Sequence, residues 1–319
     1  MIDQSLFADV ADILGIAYPA IVEKDYFAVQ LLKIISSIEI DQYQFIFSGG
    51  TCLSKAYTNT YRMSEDLDLK LIPKEGTLRL SRTKQRESRG EIRKCIKKLI
   101  EDSDNFSLVN KPEVRNEGKF QSYQIQYPKK YGDISALRPE LQLEITESGL
   151  LDEANQRSLQ SLYAKESGIA PEIISIKCVT ELSIASEKLV ALLRRTALWE
   201  RNNNNKDDER LVRHAYDLFF LREIIMGNIE KTRKLVTKVI NIDKAQFGQR
   251  HLEFFQNPNE ELRYGLQRLK ENPIYSERYL QFIGPLVYTR KAISWNQSIT
   301  VLQEITDLMG LSSFMCKCL

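Results

Sequence analysis

Phe45-Ile46-Phe47-Ser48-Gly49-Gly50-Thr51-Cys52-Leu53-Ser54-Lys55, followed shortly by Ser64-Glu65-Asp66-Leu67-Asp68-Leu69-Lys70-Leu71, decides the fold. An apolar run breaks at a double glycine, and a polar segment leads to an alternating strand carrying two aspartates two residues apart. Side chains alternate faces along a strand, so Asp66 and Asp68 are expected on one face, with Leu67, Leu69 and Leu71 turned into the core. Two parallel carboxylates suit a divalent metal. A double glycine lets backbone amides approach an anion closely, particularly where Thr51–Thr60 opens as a helix with its positive end at the turn. Ser48, Gly49, Gly50 and Thr51 are therefore expected to cradle a triphosphate, with Lys55 one turn into the helix as a possible aid or a surface lysine. Anion cradle and metal clamp together suggest a nucleoside triphosphate.

Working outward, 319 residues with 43% hydrophobic and 28% charged content describe a globular protein of one large domain or two. Net charge is only +2, so any nucleic-acid contact must come from a local patch. Five cysteines, at 52, 95, 178, 316 and 318, are odd in number and lack a Cys-x-x-Cys pair, which indicates neither a disulfide framework nor a structural zinc and fits a reducing cytoplasm. Cys316 to Leu319 fits a prenylation signal poorly and is given no function. The first residues lack a basic region followed by an apolar core, and no run reaches the ~20 apolar residues of a membrane span. A cytoplasmic monomer without membrane contact is expected.

Residues 1–40 read as helical, with Pro19 starting a helix and Phe27, Leu31, Ile34, Ile35 and Ile38 forming an apolar stripe. Glu23, Lys24 and Asp25 look like a solvated face or local ion pairs. Residues 43–48 form the first buried strand. The segment 79–98 holds nine Lys or Arg against Glu87 and Glu91, a local balance of +7 and the strongest charge bias in the chain. Its apolar side at Ile92, Ile96, Leu99 and Ile100 would dock a helix, leaving Arg93, Lys94 and Lys97 as a solvated face or as a seat for RNA phosphates. Strands are expected at 106–109, 122–127, 140–147 and 173–179, with a turn at 116–118 and a loop or short helix over 148–171. Beyond 180 the pattern is helical. Helices are expected at 187–199, after a polar connector at 199–208 that Asp207 or Asp208 could close as a cap, and at 229–240, 259–271, 276–291 and 297–310. Phe254, Phe255, Tyr264, Tyr279 and Phe282 are expected in that bundle's core. His251 is expected at the surface or satisfied.

The order Gly-Gly-Thr and then Asp-x-Asp resembles the DNA polymerase β-like nucleotidyltransferase superfamily. The fuller wording Gly49-Gly50-Thr51-x-Leu53-x-Lys55-x-Tyr57 with Ser64-Glu65-Asp66-Leu67-Asp68 resembles its AbiEii branch, toxins of bacterial abortive-infection systems. Three further stretches are similar to that family: Glu23-Lys24-Asp25-Tyr26, Glu187-Lys188-Leu189-x-Ala191-Leu192 and Arg213-His214-x-Tyr216-Asp217-Leu218. The resemblance covers about residues 20–225 and implies an α+β fold. Its parts would be an N-terminal helical brace (1–40), a nucleotidyltransferase core (41–179) and a C-terminal helical domain (180–319), with the active site in the cleft between core and helices.

By the same resemblance Asp66 and Asp68 would bind Mg²⁺ or Mn²⁺, joined by a third carboxylate. Glu144, flanked by Leu143 and Ile145, is the candidate, Glu140 the second, and Glu147 points the wrong way unless the strand bulges. Lys188 would hold the nucleotide's phosphates, and His214 and Asp217 would position the site. From the residues alone, Lys188 and Arg195 look like an exposed helix face, and Arg213, His214 and Asp217 like a local ion-pair cluster. The implied activity is transfer of a nucleoside monophosphate from an NTP to RNA, at the 3′ end of tRNA, by a toxin whose antitoxin is encoded beside it. The 14 residues between Thr51 and Asp66 are a long gap for a minimal nucleotidyltransferase, which leaves the placing of Lys55 and Tyr57 open. Two rivals remain. A metal-dependent glycosyltransferase also uses Asp-x-Asp but leaves the Gly-Gly-Thr turn unexplained. A non-catalytic RNA-binding module would not need both aspartates, a third acid and Lys188.

Overall fold

The structure is a computed structural model and describes residues 3–135, 137–201, 207–288 and 293–311. The chain divides into two compact units at Val179/Thr180, and Tyr288 returns to the first. The centre of the expected connector (202–206), positions 289–291, and Cys316 and Cys318 lie outside the described residues, and the helix expected to reach 291 already ends at Leu286, where Val287 turns extended (φ −101°, ψ 125°).

The first unit opens with α1 (Leu6–Leu14), stopped by Gly15 in the left-handed region (φ 66°), and α2 (Pro19–Ser36). Pro19 fixes the first turn of α2, where its missing N–H costs nothing, and Phe27, Leu31 and Ile35 are buried along one face. There follow β1 (Tyr43–Ser48), α3 (Gly49–Ala56), β2 (Asp66–Pro73), α4 (Arg82–Glu101), β3 (Ser107–Leu108), β4 (Glu113–Arg115), β5 (Phe120–Gln126), β6 (Leu141–Glu147), β7 (Asn155–Leu159), α5 (Leu162–Glu166) and β8 (Ile173–Cys178). Among the described residues these strands make one mixed sheet in the order β3-β5-β6-β2-β1-β8-β7, with β4 also on β5. β2 lies antiparallel to β1 and parallel to β6, in the register Asp66 opposite Gln142 and Asp68 opposite Glu144. Leu67, Leu69, Leu71, Leu141, Leu143 and Ile145 are all buried, which is the alternation expected of both strands.

Two stretches differ from expectation. The helix expected over Thr51–Thr60 runs from Gly49 to Ala56, so the double glycine is its first turn rather than a separate loop. It ends because Tyr57 leaves helical geometry (φ −136°, ψ −90°), and the Tyr57 hydroxyl donates to Val179 O at 2.9 Å. The stretch expected to be loop or short helix contains β7 as well as α5. β7 is an edge strand of Asn-Gln-Arg-Ser-Leu, whose polar residues give no apolar alternation, and it is recruited by backbone pairing to β8.

The second unit holds α6 (Glu181–Arg201), α7 (Arg213–Met226), α8 (Ile229–Phe247), α9 (Leu252–Gln256), α10 (Pro258–Glu271), α11 (Ile274–Leu286) and α12 (Trp295–Leu308). Leu189, Leu192, Leu193 and Thr196 of α6 are buried as the spacing requires. α10 passes so close to α6 that a Cβ on Gly265 would stand 2.8 Å from the carbonyl carbon of Leu193. Phe254, Tyr279 and Phe282 are core, whereas Phe255 is half exposed. His251 is buried, with Nε2 2.8 Å from Glu261, which Arg201 also grips.

Candidate active site

Because β2 and β6 are parallel and in the register above, Asp66, Asp68 and Glu144 project from one face of adjacent strands. Leu67, Leu143 and Ile145 on the opposite face are fully buried, so this face is the only one left for the acids. Burial and then the neighbouring Asp66 charge push the Glu144 carboxyl above its usual range, and Arg138 and Arg115 partly offset this. Glu147 is turned away: Arg89 Nη1 holds it at 2.8 Å and Lys119 at 3.4 Å. Glu140 precedes the strand. Among the described residues no three His, Cys, Asp or Glu side chains converge closely enough to enclose an ion. Asp66 Oδ1 accepts from the Arg138 guanidinium at 2.6 Å.

The glycine turn meets this face directly. Gly49 has φ +76°, and a Cβ there would stand 2.8 Å from Asp68 Cγ and nearer still to Oδ2. Only glycine lets the helix start against that carboxylate. The Ser48 hydroxyl donates to Asp68 O at 3.1 Å and Thr51 Oγ1 to Asp66 O at 2.5 Å. These hydroxyls fasten the backbone behind the two aspartates, and Ser48 does not cap α3. What α3 offers an anion is therefore its first-turn amides at Gly49, Gly50 and Thr51. Lys55, at the other end of α3, is not a surface lysine: it pairs with Asp25 and is almost wholly buried.

The reading of Glu23, Lys24 and Asp25 as a solvated face is overturned. All three are buried, at 1%, 0% and 5% exposure. Lys24 Nζ donates to Glu65 Oε2 at 3.1 Å and to Arg138 O at 2.5 Å, and Glu65 accepts the Arg138 N–H at 2.6 Å. Glu23 accepts the amides of Lys130 and Tyr131, at 2.7 and 3.4 Å, and Asp25 the amide of Leu162 at 2.6 Å. α2 thus pins the loop that carries Arg138 to the residue beside Asp66. Sequence reasoning missed Arg138 altogether. The one available signal was an arginine before Pro139 close upstream of the third-acid strand, which is weak.

On α4 the charge bias is smaller than the composition implies. Arg89 is buried, donating to Glu117 O, Tyr43 and Glu147, while Lys94 and Lys97 are exposed beside Glu91 and Glu101, at 2.8 and 3.5 Å. Arg93, Lys94 and Lys97 border a groove with an apolar floor at Leu108, Pro112 and Val114.

In the second unit Lys188 is 7% exposed rather than on an open face. It meets Asp217 Oδ2 at 2.8 Å and His214 Nδ1 at 3.4 Å. An ammonium has only donors, so His214 Nδ1 is the unprotonated nitrogen. Burial and then Lys188 hold the His214 pKa well below its ordinary value, leaving it neutral at pH 7. Arg213 instead turns to Arg210 O, and Arg195 to Asp208, which caps the turn before α7.

A family model described as "Nucleotidyl transferase AbiEii toxin, Type IV TA system" matches residues 30–301. Among solved structures, MenT4, a nucleotidyltransferase toxin from Mycobacterium tuberculosis H37Rv, aligns at TM-score 0.63 and 18% identity, covering 98% of this chain and 91% of that one. JHP933 from Helicobacter pylori aligns at 0.43 and 14%, covering 89% and 90%. A STING-associated CdnE c-di-GMP synthase from Capnocytophaga granulosa aligns at 0.26 and 14%, covering 94% and 84%. Of the three, only the first superposes closely enough to show a shared fold. No curated protein matches the sequence. Among the described residues no helix is long and apolar enough to cross a membrane.

Proposed function

The chain belongs to the AbiEii family of nucleotidyltransferase toxins of type IV toxin–antitoxin systems, and on that premise we propose that it moves a nucleoside monophosphate from an NTP to a hydroxyl of RNA, at the 3′ end of tRNA, with a divalent metal. The observation that supports this best is the register of β2 on β6, which sets Asp66, Asp68 and Glu144 on one face beside the amides that open α3. Nucleotidyl transfer needs this pairing of acids and anion cradle, and transfer of a sugar would not call for the cradle.

By donor type the residues suit a hard cation such as Mg²⁺ or Mn²⁺. The donors are all carboxylate oxygens, and Gly49 keeps Asp68 clear of a Cβ. Asp66, Asp68 and Glu144 would hold the ion, which when bound supplies charge neutralisation at the phosphoryl group and a lowered pKa for the acceptor hydroxyl. The chain's own part is positional. Ser48 and Thr51 fix the aspartates' backbone, and the amides of Gly49, Gly50 and Thr51 receive phosphate oxygens. The Lys188 ammonium, held by Asp217 and a neutral His214, is suited to an anionic substrate. Arg93, Lys94 and Lys97 are the proposed seat for RNA phosphates. The partner in the cell is an antitoxin encoded alongside, and the setting is abortive infection by phage.

The test is incubation with each α-labelled NTP, Mg²⁺ and total tRNA, beside Asp68→Ala. Label on tRNA with the unmutated protein only is the expected result. Equal labelling by Asp68→Ala would remove the carboxylate mechanism, and no label on tRNA from any NTP would remove the acceptor.

A further inference from the structure

Arg138 occupies a place where a cation is wanted. Its Nη1 lies 2.6 Å from Asp66 Oδ1, and its side chain is 38% exposed, so the guanidinium can leave towards solvent. Its backbone cannot leave. The Arg138 amide is held by Glu65 at 2.6 Å and its carbonyl by Lys24 at 2.5 Å, and that Lys24–Glu65 pair is wholly buried. Pro139 restricts the same backbone further. The residue is thus a charged arm on a fixed pivot at the edge of the carboxylate face.

We propose that Arg138 exchanges partners as the site loads: it neutralises Asp66 in the empty protein, yields Asp66 to the divalent cation, and then pairs with phosphate oxygens of the incoming triphosphate. This rests on the metal reading given above. The exchange follows from the chemistry of the groups. A guanidinium and a divalent cation compete for one carboxylate oxygen, so each weakens the other's hold. Once displaced on its pivot, the guanidinium stays within reach of any anion bound beside Asp66, and its planar donor fork favours phosphate oxygens. Arg138 is then a positioning residue that keeps the acids from repelling one another in the empty state and ties metal loading to arrival of substrate. A merely structural arginine would do neither, since its removal would loosen the carboxylates and weaken metal and phosphate binding alike.

The experiment uses the full chain and two probes. Mn²⁺ binding without nucleotide is followed by loss of the free-ion electron paramagnetic resonance signal in the unmutated protein, Arg138→Gln and Asp68→Asn. Binding of tripolyphosphate in saturating Mg²⁺ is followed by calorimetry in the first two. Loss of a half-exposed ion pair should tighten Mn²⁺ about two- to five-fold in Arg138→Gln, while loss of a charge-assisted partner should weaken tripolyphosphate about ten-fold. Unchanged or weaker Mn²⁺ binding in Arg138→Gln, or unchanged tripolyphosphate binding, overturns the exchange. If the unmutated protein binds no Mn²⁺, or Asp68→Asn binds it equally well, the metal reading fails and the exchange with it, and the Asp68→Asn arm tells that failure from the first.

Discussion

Gly49→Ala tests the geometry on which the site depends. Two costs arise at one atom. The backbone at Gly49 has φ +76°, where a residue with a Cβ pays roughly 1–2 kcal/mol. The added methyl would also stand 2.8 Å from Asp68 Cγ and 2.9 Å from its Cβ, inside any real contact, and relieving an overlap of that kind costs about 1–3 kcal/mol. Together they come to about 2–5 kcal/mol, a large share of the roughly 5–15 kcal/mol that holds a typical domain folded. The clash can be relieved by moving Asp68 instead, at the cost of the site, since misplacing a reacting group by about 1 Å loses on the order of 10²-fold in rate. Both routes are measurable. Urea unfolding should be followed by circular dichroism, because Trp199 and Trp295 both belong to the second unit and their fluorescence would miss the change. With a slope of about 2 kcal/mol per molar urea, the midpoint of the first unit should fall by about 1–2.5 M. A smaller fall should be matched by loss of nucleotide transfer. A variant with an unshifted midpoint and full transfer would show that α3 does not begin against Asp68, and the arrangement of amides and carboxylates would fall with it.

Two further perturbations probe the buried charges. Lys24→Met leaves Glu65 without its cation in a fully buried place and should cost about 3–5 kcal/mol, whereas adding Glu65→Gln should recover part of it; urea midpoints of both singles and the double decide, and strictly additive costs would show that the two side chains act independently. His214 refuses a proton that the unfolded chain accepts near its ordinary pKa of 6.5, so its share of stability is complete above that value and shrinks as pH falls through it towards the depressed folded value. His214→Gln should therefore make the fall in stability from pH 7 to pH 5 shallower, and urea midpoints across that range with an unchanged slope would refute the assignment.

The strands of the core were legible wherever one face is apolar. Leu67, Leu69 and Leu71 alternate with Asp66 and Asp68, and Leu141, Leu143 and Ile145 with Gln142 and Glu144, so burial of one set fixes where the acids point. The same logic fails for β7, which buries almost nothing of its own and owes its existence to a partner strand. The buried charges were hidden for a different reason. Spacing along the chain reports neighbours within a turn or two, and the partners of Glu23, Lys24 and Asp25 come from Lys130, Glu65 and Leu162, which are 107, 41 and 137 residues away. A stretch of three charges on a helix with such partners reads as surface until the tertiary pairs are known.

One clue was nevertheless present beside the aspartates. If Asp66 and Asp68 face the site, strand alternation turns Glu65 with Leu67 into the core, where a carboxylate is costly unless a donor meets it. That requirement alone called for a buried cation, and the candidates were lysines on elements packed behind the strand. Lys24 meets it from α2. The same carboxylate also takes the Arg138 amide, so the residue that the alternation sends inward is the one that sets the pivot of the arginine facing outward. The acid that looks superfluous to the chemistry is thereby the one through which the N-terminal helix reaches the site.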